Sequence, residues 1–422
     1  MGTYKIYGTV SEDATIYVID EDSKKLHRAT DFSAGNYEIK NLSPGDKTVT
    51  AVRSSGESVT YGKVTPVTMS GTGTAYSSGN DGSLVIDTAD TVVNSYAAIT
   101  SVSGNTITVD SVSEFSVDDE VMIIQMQGDN SIIGFWETKR ISGINSNVIT
   151  FNSSIENTYS TASNDKVQAV RIPNYINFEV ASGYNVISSA WDGSKGGIIF
   201  FRATNSVTIT GGVVSNGDGF RGGVGRGGNT NRYGWSGEST QPASFESIAS
   251  RNYVPAGGGG AGWCGTASQY TPTGGGGGGY GTAGTNGKQG PHPAYPNISF
   301  GGPAYGSADL SKMFFGSAGG AAIDNRGANG GGIVIISAFT INVTGSVEAE
   351  GETGSENYLA SAAGGSILLQ ANYLNIGTNL ISAIGGPATQ YGGAGGDGRI
   401  RLDYTTISGS TSTPTPGYIG SY

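Results

Sequence analysis

Along the second half of the chain, apolar residues fall at every second position in runs that repeat in register. GGIIFFRATNSVTITGGVVSNG starts at Gly196, GGIVIISAFTINVTGSVEAEG at Gly331 and GGSILLQANYLNIGTNLISAIG at Gly364, and GDGRIRLDYTTISG closes the series. Aligned on their glycine pairs, the first strands carry Ile199 and Phe201, Val334 and Ile336, Ile367 and Leu369, and Ile400 and Leu402. The second strands carry Val207 and Ile209, Ile341 and Val343, and Leu374 and Ile376, and the third carry Val213, Val347 and Ile381. A period of two places these residues on one face of each strand. Recurrence in register then stacks that face coil on coil, as in a parallel β-helix, where no repeat buries its apolar face alone. Phe201, Ile336 and Leu369 should therefore be stacked neighbours. The spacing from the second run to the third is about 33 residues, but from the first to the second about 135, so roughly 100 residues are inserted there.

The N-terminal half alternates on a shorter scale. KIYGTV, ATIYVID, GNYEIKNL, KTVTAVR and YGKVTPVTM predict a small immunoglobulin-like or transthyretin-like β-sandwich over residues 1–70, with Ser43-Pro44-Gly45-Asp46 as a turn. Residues 71–82 read as a polar linker and residues 83–165 as a second β module. In that module Gly104-Asn105 supplies a hairpin turn, and the run Val121–Ile124 suits a strand buried on both faces. The β-helix-like solenoid then occupies residues 166–410, interrupted by the insertion 218–328, and 411–422 forms a C-terminal arm. The fold class is all-β: two small modules followed by a solenoid.

Composition changes the picture of the insertion. Glycine accounts for 71 of 422 residues, about 17% against a usual value of roughly 7%. Runs such as Gly257–Gly260 and Gly274–Gly279 would ordinarily mark a flexible linker, yet 13 aromatic residues fall within 218–328. Glycine interleaved with aromatics points instead to closely packed extended backbone, polyproline-II-like, with rings covering the gaps. The formal net charge of −11 argues against a nucleic-acid partner, and no apolar stretch approaches the ~20 residues of a membrane helix. MGTYKIYGTVSEDATIYVID lacks the basic and apolar segments of a secretion signal, which favours a virion protein released by lysis or another extracellular route.

Catalytic chemistry finds little purchase. Glycoside hydrolysis needs two carboxylates facing one cleft, but the aligned outward positions of the first strands are Phe200, Ile335, Leu368 and Arg401. Asp192 and Asp218 flank the first run, and Glu348, Glu350 and Glu352 alternate after the second, as a solvated turn would. Cys264 has no nearby base other than His292 and reads as a structural thiol. No cofactor or metal site is expected. The outward residues Phe200, Ile335 and Leu368 form an apolar column suited to an interface, covered either by the insertion or by a neighbouring subunit. Tyr418, Ile419 and Tyr422 on the C-terminal arm suit the same assembly role, with a cap on the chain's own last coil as the alternative.

GTVSEDATIYVIDED, GNYEIKNLSPG and YGKVTPV resemble the small β-sandwich that opens many phage tail and virion-associated proteins. VDDEVMIIQMQG with GGIIFFRATNSVTITGGVVSNGDGFRGG is similar to glycine-rich β-helical proteins of bacterial surfaces and phages. The glycine runs with interleaved aromatics resemble the tip adhesins of T-even-like phage long tail fibres, which present receptor-binding loops from packed polyproline-II segments. Two β modules and a β-helix set this chain apart, so no site residue is carried over. The resemblances imply a non-enzymatic structural or adhesive subunit of an extracellular fibre or virion surface that associates with itself. The alternatives are a glycan-binding adhesin and, third, a β-helical polysaccharide-degrading enzyme. For the adhesin, the aromatic residues of the insertion offer the contact surface, namely Tyr233, Trp235, Tyr253, Trp263, Tyr270 and Tyr280.

Overall fold

The computed structural model describes residues 4–10, 14–20, 26–32, 35–42, 47–53, 58–64, 77–128, 131–162, 164–225, 234–241, 257–262, 273–290, 298–322, 326–410 and 413–421. Among these residues every regular element is a β-strand, and no helix is long and apolar enough to cross a membrane. The chain divides into two units, Met1–Ala75 and Tyr76–Tyr422. In the first, the short alternating runs become β1 (Tyr4–Val10), β2 (Ala14–Asp20), β3 (Leu26–Phe32), β4 (Gly35–Leu42), β5 (Lys47–Arg53) and β6 (Ser58–Val64). They pair antiparallel as a two-stranded sheet, β1-β4, and a four-stranded sheet, β3-β2-β5-β6.

The second unit begins with a coil that the sequence pattern did not reveal. Strands β7 (Leu84–Ile86) and β8 (Thr91–Val92) are too short to show a period, but they pair parallel with strands of the solenoid. The chain then leaves the solenoid to build a closed barrel from β9 (Tyr96–Ser103), β10 (Thr106–Val109), β11 (Glu120–Gln127), β12 (Trp136–Asn145), β13 (Val148–Phe151) and β14 (Lys166–Ile172). The module expected over 83–165 is thus displaced: 84–92 belong to the solenoid, and Lys166–Ile172 belongs to the barrel. Gly104, at φ 58°, turns β9 into β10. Val121 and Ile123 of β11 face the barrel core, while Met122, Ile124 and Met126 face outward into a second cluster. That double burial explains the uninterrupted apolar run.

The solenoid resumes with β15 (Asn174–Val180) and β16 (Asn185–Ile187), then β17 (Ile198–Ile209) and β18 (Gly212–Val214), β19 (Ile333–Val343) and β20 (Ser346–Glu348), β21 (Ser366–Ile376) and β22 (Ile381–Ser382), and β23 (Arg399–Ser408). Parallel pairing gives a five-stranded sheet, β22-β20-β18-β16-β8, and a longer one that contains β23-β21-β19-β17-β15-β7. Phe201 is in register with Ile336, and Ile336 with Leu369, as the aligned repeats require. Val213, Val347 and Ile381 stack in the same way on the other sheet. Each column lies inside one core in which Phe201, Ile336 and Leu369 are fully buried.

The C-terminal segment takes the second of its two expected roles, a cap on the chain's own last coil. Residues Tyr418–Ser421 form β24, which adds to β23 of the same chain in parallel, so the segment continues the solenoid rather than extending as an arm. Pro414 and Pro416 precede the ladder and cost it no hydrogen bond. Ile419, in register with Leu402, remains 58% exposed.

The outward column also has its cover within the chain. Phe200 and Ile335 are fully buried and Leu368 is 2% exposed, packed with Met122, Ile124 and Ile172 of the barrel and with Phe220, Met313 and Phe315 of the insertion. These three residues are therefore core residues and not an assembly surface. Replacing Phe200 with Ala should lower stability by about 3–5 kcal/mol, the cost of truncating a buried phenylalanine. Denaturant unfolding checks this, and a loss below about 1 kcal/mol would show that the column is open to solvent.

Candidate functional site

Glycine-rich backbone can pack far more closely than a chain with side chains, and the insertion uses that property. Residues 273–279 donate their backbone N–H groups with a repeat of three. Gly274 and Gly277 donate to the carbonyls of Lys288 (3.0 Å) and Thr285 (2.9 Å). Gly275 and Gly278 donate to Tyr358 (3.0 Å) and Ser361 (3.1 Å), and Gly276 and Gly279 to Gly260 (2.9 Å) and Gly257 (2.7 Å). In return Gly302, Gly320 and Gly393 donate to the carbonyls of Gly277, Gly276 and Gly275 at 2.8, 3.0 and 2.9 Å. One segment thus touches six others, with three residues per turn and no bond within itself, the geometry of a polyproline-II bundle.

The reason for glycine is steric. A Cβ on Gly277 would sit 1.8 Å from the Ala394 carbonyl oxygen, and one on Gly278 would sit 1.9 Å from that of Ser317. The described part of the insertion is accordingly ordered by hydrogen bonds between neighbouring segments, where a glycine linker would have had only solvent.

One end of this bundle rests on the solenoid and barrel. Glu238 is buried there and accepts hydrogen bonds from the Arg221 guanidinium (2.9 and 3.1 Å), Trp191 Nε1 (3.3 Å) and Gln127 Nε2 (3.2 Å). Bundle, solenoid turn and barrel meet at a single carboxylate. Nearby, Tyr280 is fully buried, with its hydroxyl 2.8 Å from Ser366 Oγ and its ring 5.0 Å from that of Tyr305. Burial pushes the Tyr280 hydroxyl up to about 12, against the Ser366 hydrogen bond and the Arg399 charge, which both lower it. Tyr280 is therefore a structural residue and not a glycan contact, because the sequence shows an aromatic beside glycine without showing which way it faces.

The opposite end carries the chain reversals at 355–358 and 390–392. Gly225 bridges Gly234, Gly234 donates to Gly262, and Gly262 donates to Ala321. Thr273 bridges Gln289, and Lys288 donates to Tyr391. The described residues that flank the stretches 226–233, 263–272, 291–297 and 323–325 therefore lie at this end. Tyr233, Trp263 and Tyr270 belong to these stretches and lie outside the described residues, as does Cys264. Tyr253 also lies outside them. Tyr422 is likewise outside them, and for Tyr418 only the backbone is described.

Trp235 is half-buried and holds Ala321 through its backbone carbonyl (2.9 Å). The reversal end also carries a pair that no sequence pattern marks: Tyr358 and Tyr391 stack with ring centres 4.5 Å apart and planes 8° from parallel. Both rings are half-buried. Their positions lie outside the expected insertion, and hydrogen bonds that include those from Gly275 and Lys288 bring them to the bundle.

The acidic residues that flank the solenoid are tied into local hydrogen bonds. Glu348 accepts from Asn216 Nδ2 (2.7 Å), Glu350 from Ser382 Oγ, and Glu352 from the Asn329 N–H (3.0 Å). Asp218 accepts from Ser188 Oγ at 2.6 Å. Burial raises its carboxyl from 3.8 to about 6, the Ser188 hydrogen bond opposes that rise, and the Glu352 charge adds to it. Among the described residues no group of three or more His, Cys, Asp or Glu is placed to hold a metal ion.

These features define an all-β protein built on a parallel β-helix, with a barrel and a polyproline-II bundle inserted into it. No family model matches the chain, and no curated protein matches it significantly. Among solved structures it is similar to the tailspike of Acinetobacter baumannii bacteriophage AP22 in complex with A. baumannii capsular saccharide, at 12% identity over 76% of this chain. The chain spans 47% of that tailspike, and the TM-score of 0.18 carries no argument about ligand or chemistry.

Two outcomes test this geometry. Gly277→Ala should strongly destabilise the bundle, exposing it to protease, whereas Gly143→Ala, where a Cβ meets nothing within 4 Å, should not. Equal protease resistance in both variants would refute the close packing. Asp218 is the second test: its folded-state value lies above its ordinary one, so its contribution is fully present below about pH 4 and is lost as pH rises through about 6. Asp218→Asn should raise the unfolding temperature at pH 8 relative to the parent and give no gain at pH 4.

Proposed function

We propose that the chain is a non-enzymatic adhesive protein of an extracellular fibre or virion surface that binds a cell-surface glycan through the reversal end of the glycine-rich bundle. The observation that carries this reading is the bundle's polarity. One end is fixed to the solenoid and barrel through Glu238, Phe220 and Phe315, and the other carries the turns at 355–358 and 390–392. A rigid platform that presents two adjacent turns suits recognition, because the contact residues are held without ordering a long flexible segment on binding. Trp235, Tyr358 and Tyr391 supply aromatic surface there. Aromatic rings stack on the apolar faces of sugars, while the polar tips of Trp and Tyr keep hydrogen-bonding capacity. Assembly into a fibre, in this reading, uses surfaces other than Phe200, Ile335 and Leu368, which the chain covers itself.

Adsorption of the purified chain to host cells and to an array of bacterial surface glycans tests the proposal. Tyr391→Ala and Trp235→Ala should each weaken binding about tenfold or more, the scale expected for losing an aromatic hot spot, with little change in unfolding temperature. Undiminished binding in both variants would overturn the bundle-end site. Release of new reducing ends from a bound polysaccharide would overturn the non-enzymatic reading.

A further inference from the structure

The long sheet has two outward halves with different fates. The half that contains Phe200 is buried under the barrel and bundle. The half beyond it, where β17, β19, β21 and β23 run on to Ile209, Val343, Ile376 and Ser408, carries a polar face at the surface. Asn342, Asn375 and Ser408 occupy one outward register column on successive coils, and Thr340, Tyr373 and Thr406 occupy the next. Asn375 Nδ2 donates to Asn342 Oδ1 at 2.6 Å, and Ser408 Oγ donates to Asn375 Oδ1 at 2.8 Å. This chain of bonds fixes both amide planes, yet it uses only one of the two N–H groups on Asn375 and neither on Asn342. Beside it, Tyr373 is 44% exposed and braced edge-on by Phe339, with ring centres 5.4 Å apart.

We infer that this face binds a neutral polysaccharide chain lying along the β-helix axis, an inference that rests on the glycan-binding reading above and adds a second contact to it. Preorganised amides and hydroxyls next to a braced aromatic ring combine directional hydrogen bonding with an apolar stacking surface, the pairing that sugar rings require. The groups repeat with the coil rise of about 4.8 Å, comparable with the length of one sugar ring, so successive units would meet equivalent groups. Charge selects the ligand further: both columns are uncharged from Thr340 to Ser408, and Glu179, two coils before Asn342 in one of them, disfavours an acidic chain. A second copy of the protein fits less well. Tyr373, and Val85 at the far end of one column, are the large apolar residues exposed on these two columns among the described residues, far short of what a stable dimer of about 1,200–2,000 Å² requires.

The test measures binding of the full chain to neutral and acidic bacterial oligosaccharides of one to several repeat units. Affinity should rise with the length of a neutral oligosaccharide. Tyr373→Ala and Asn375→Asp should each lower affinity for the long chains about tenfold while leaving the short ones unchanged, and Tyr391→Ala should weaken both. Length-independent affinity, or long-chain binding insensitive to Tyr373→Ala and Asn375→Asp, would overturn the sheet-face site and leave the bundle end standing. Loss in the sheet variants alone would do the reverse. No retention of any neutral glycan overturns the inference, as does dissociation of an oligomer by Tyr373→Ala in sedimentation, which would make the face an interface between copies.

Discussion

The second unit depends on one apolar column that faces the wrong way for a solvated solenoid. Ile198, Phe200, Ile333, Ile335 and Leu368 point outward, and a bare β-helix would expose them. The barrel contributes Met122, Ile124, Met126, Val170 and Ile172 to one part of that surface, and the insertion contributes Phe220, Leu310, Met313 and Phe315 to another. Three substructures thereby share one core beside the solenoid's own. Arg399 and Arg401, where the column turns polar, donate to the carbonyls of Tyr305 and Asp309 and fasten the insertion's last loop to the final full coil.

The solenoid was legible because its core repeats. Every inward pair aligned on the glycines recurs in the observed register, including Phe201, Ile336 and Leu369. The first coil was not legible, since β7 and β8 are three and two residues long and carry no measurable period. The last half-coil shows no repeat of the glycine-aligned pattern, because β24 is four residues long and follows two prolines. The outward column was visible as apolar, but a pattern within one strand cannot say what lies above it.

The candidate site was harder to read for a similar reason. A glycine run specifies close approach but not the partner, and the six neighbours of residues 273–279 are drawn from segments spread between 257 and 396. Composition pointed to order through the density of aromatics, yet it could not sort them. Tyr280 looks like Trp235 in sequence and is fully buried, whereas Tyr358 and Tyr391 looked unremarkable and stack at the reversal end. Orientation here follows from long-range hydrogen bonds, and these leave no local trace.

The position of the barrel bears on how the chain reaches this state. In a simple solenoid each coil pairs with the next in sequence, and folding can spread from neighbour to neighbour. Here Leu84 of the first coil waits for Phe178 across the whole barrel, and Ile198 waits for Ile333 across the insertion. Such distant pairings raise contact order and slow folding, because loop closure must precede any gain from contact. The barrel, whose strands are nearly continuous in sequence, can close on its own before either pairing forms. Its outward residues Met122, Ile124 and Met126 then offer a ready apolar surface on which the third and fourth coils assemble. On this route the solenoid is nucleated from its side and not from its end, and the barrel acts as a template for the coils that enclose it.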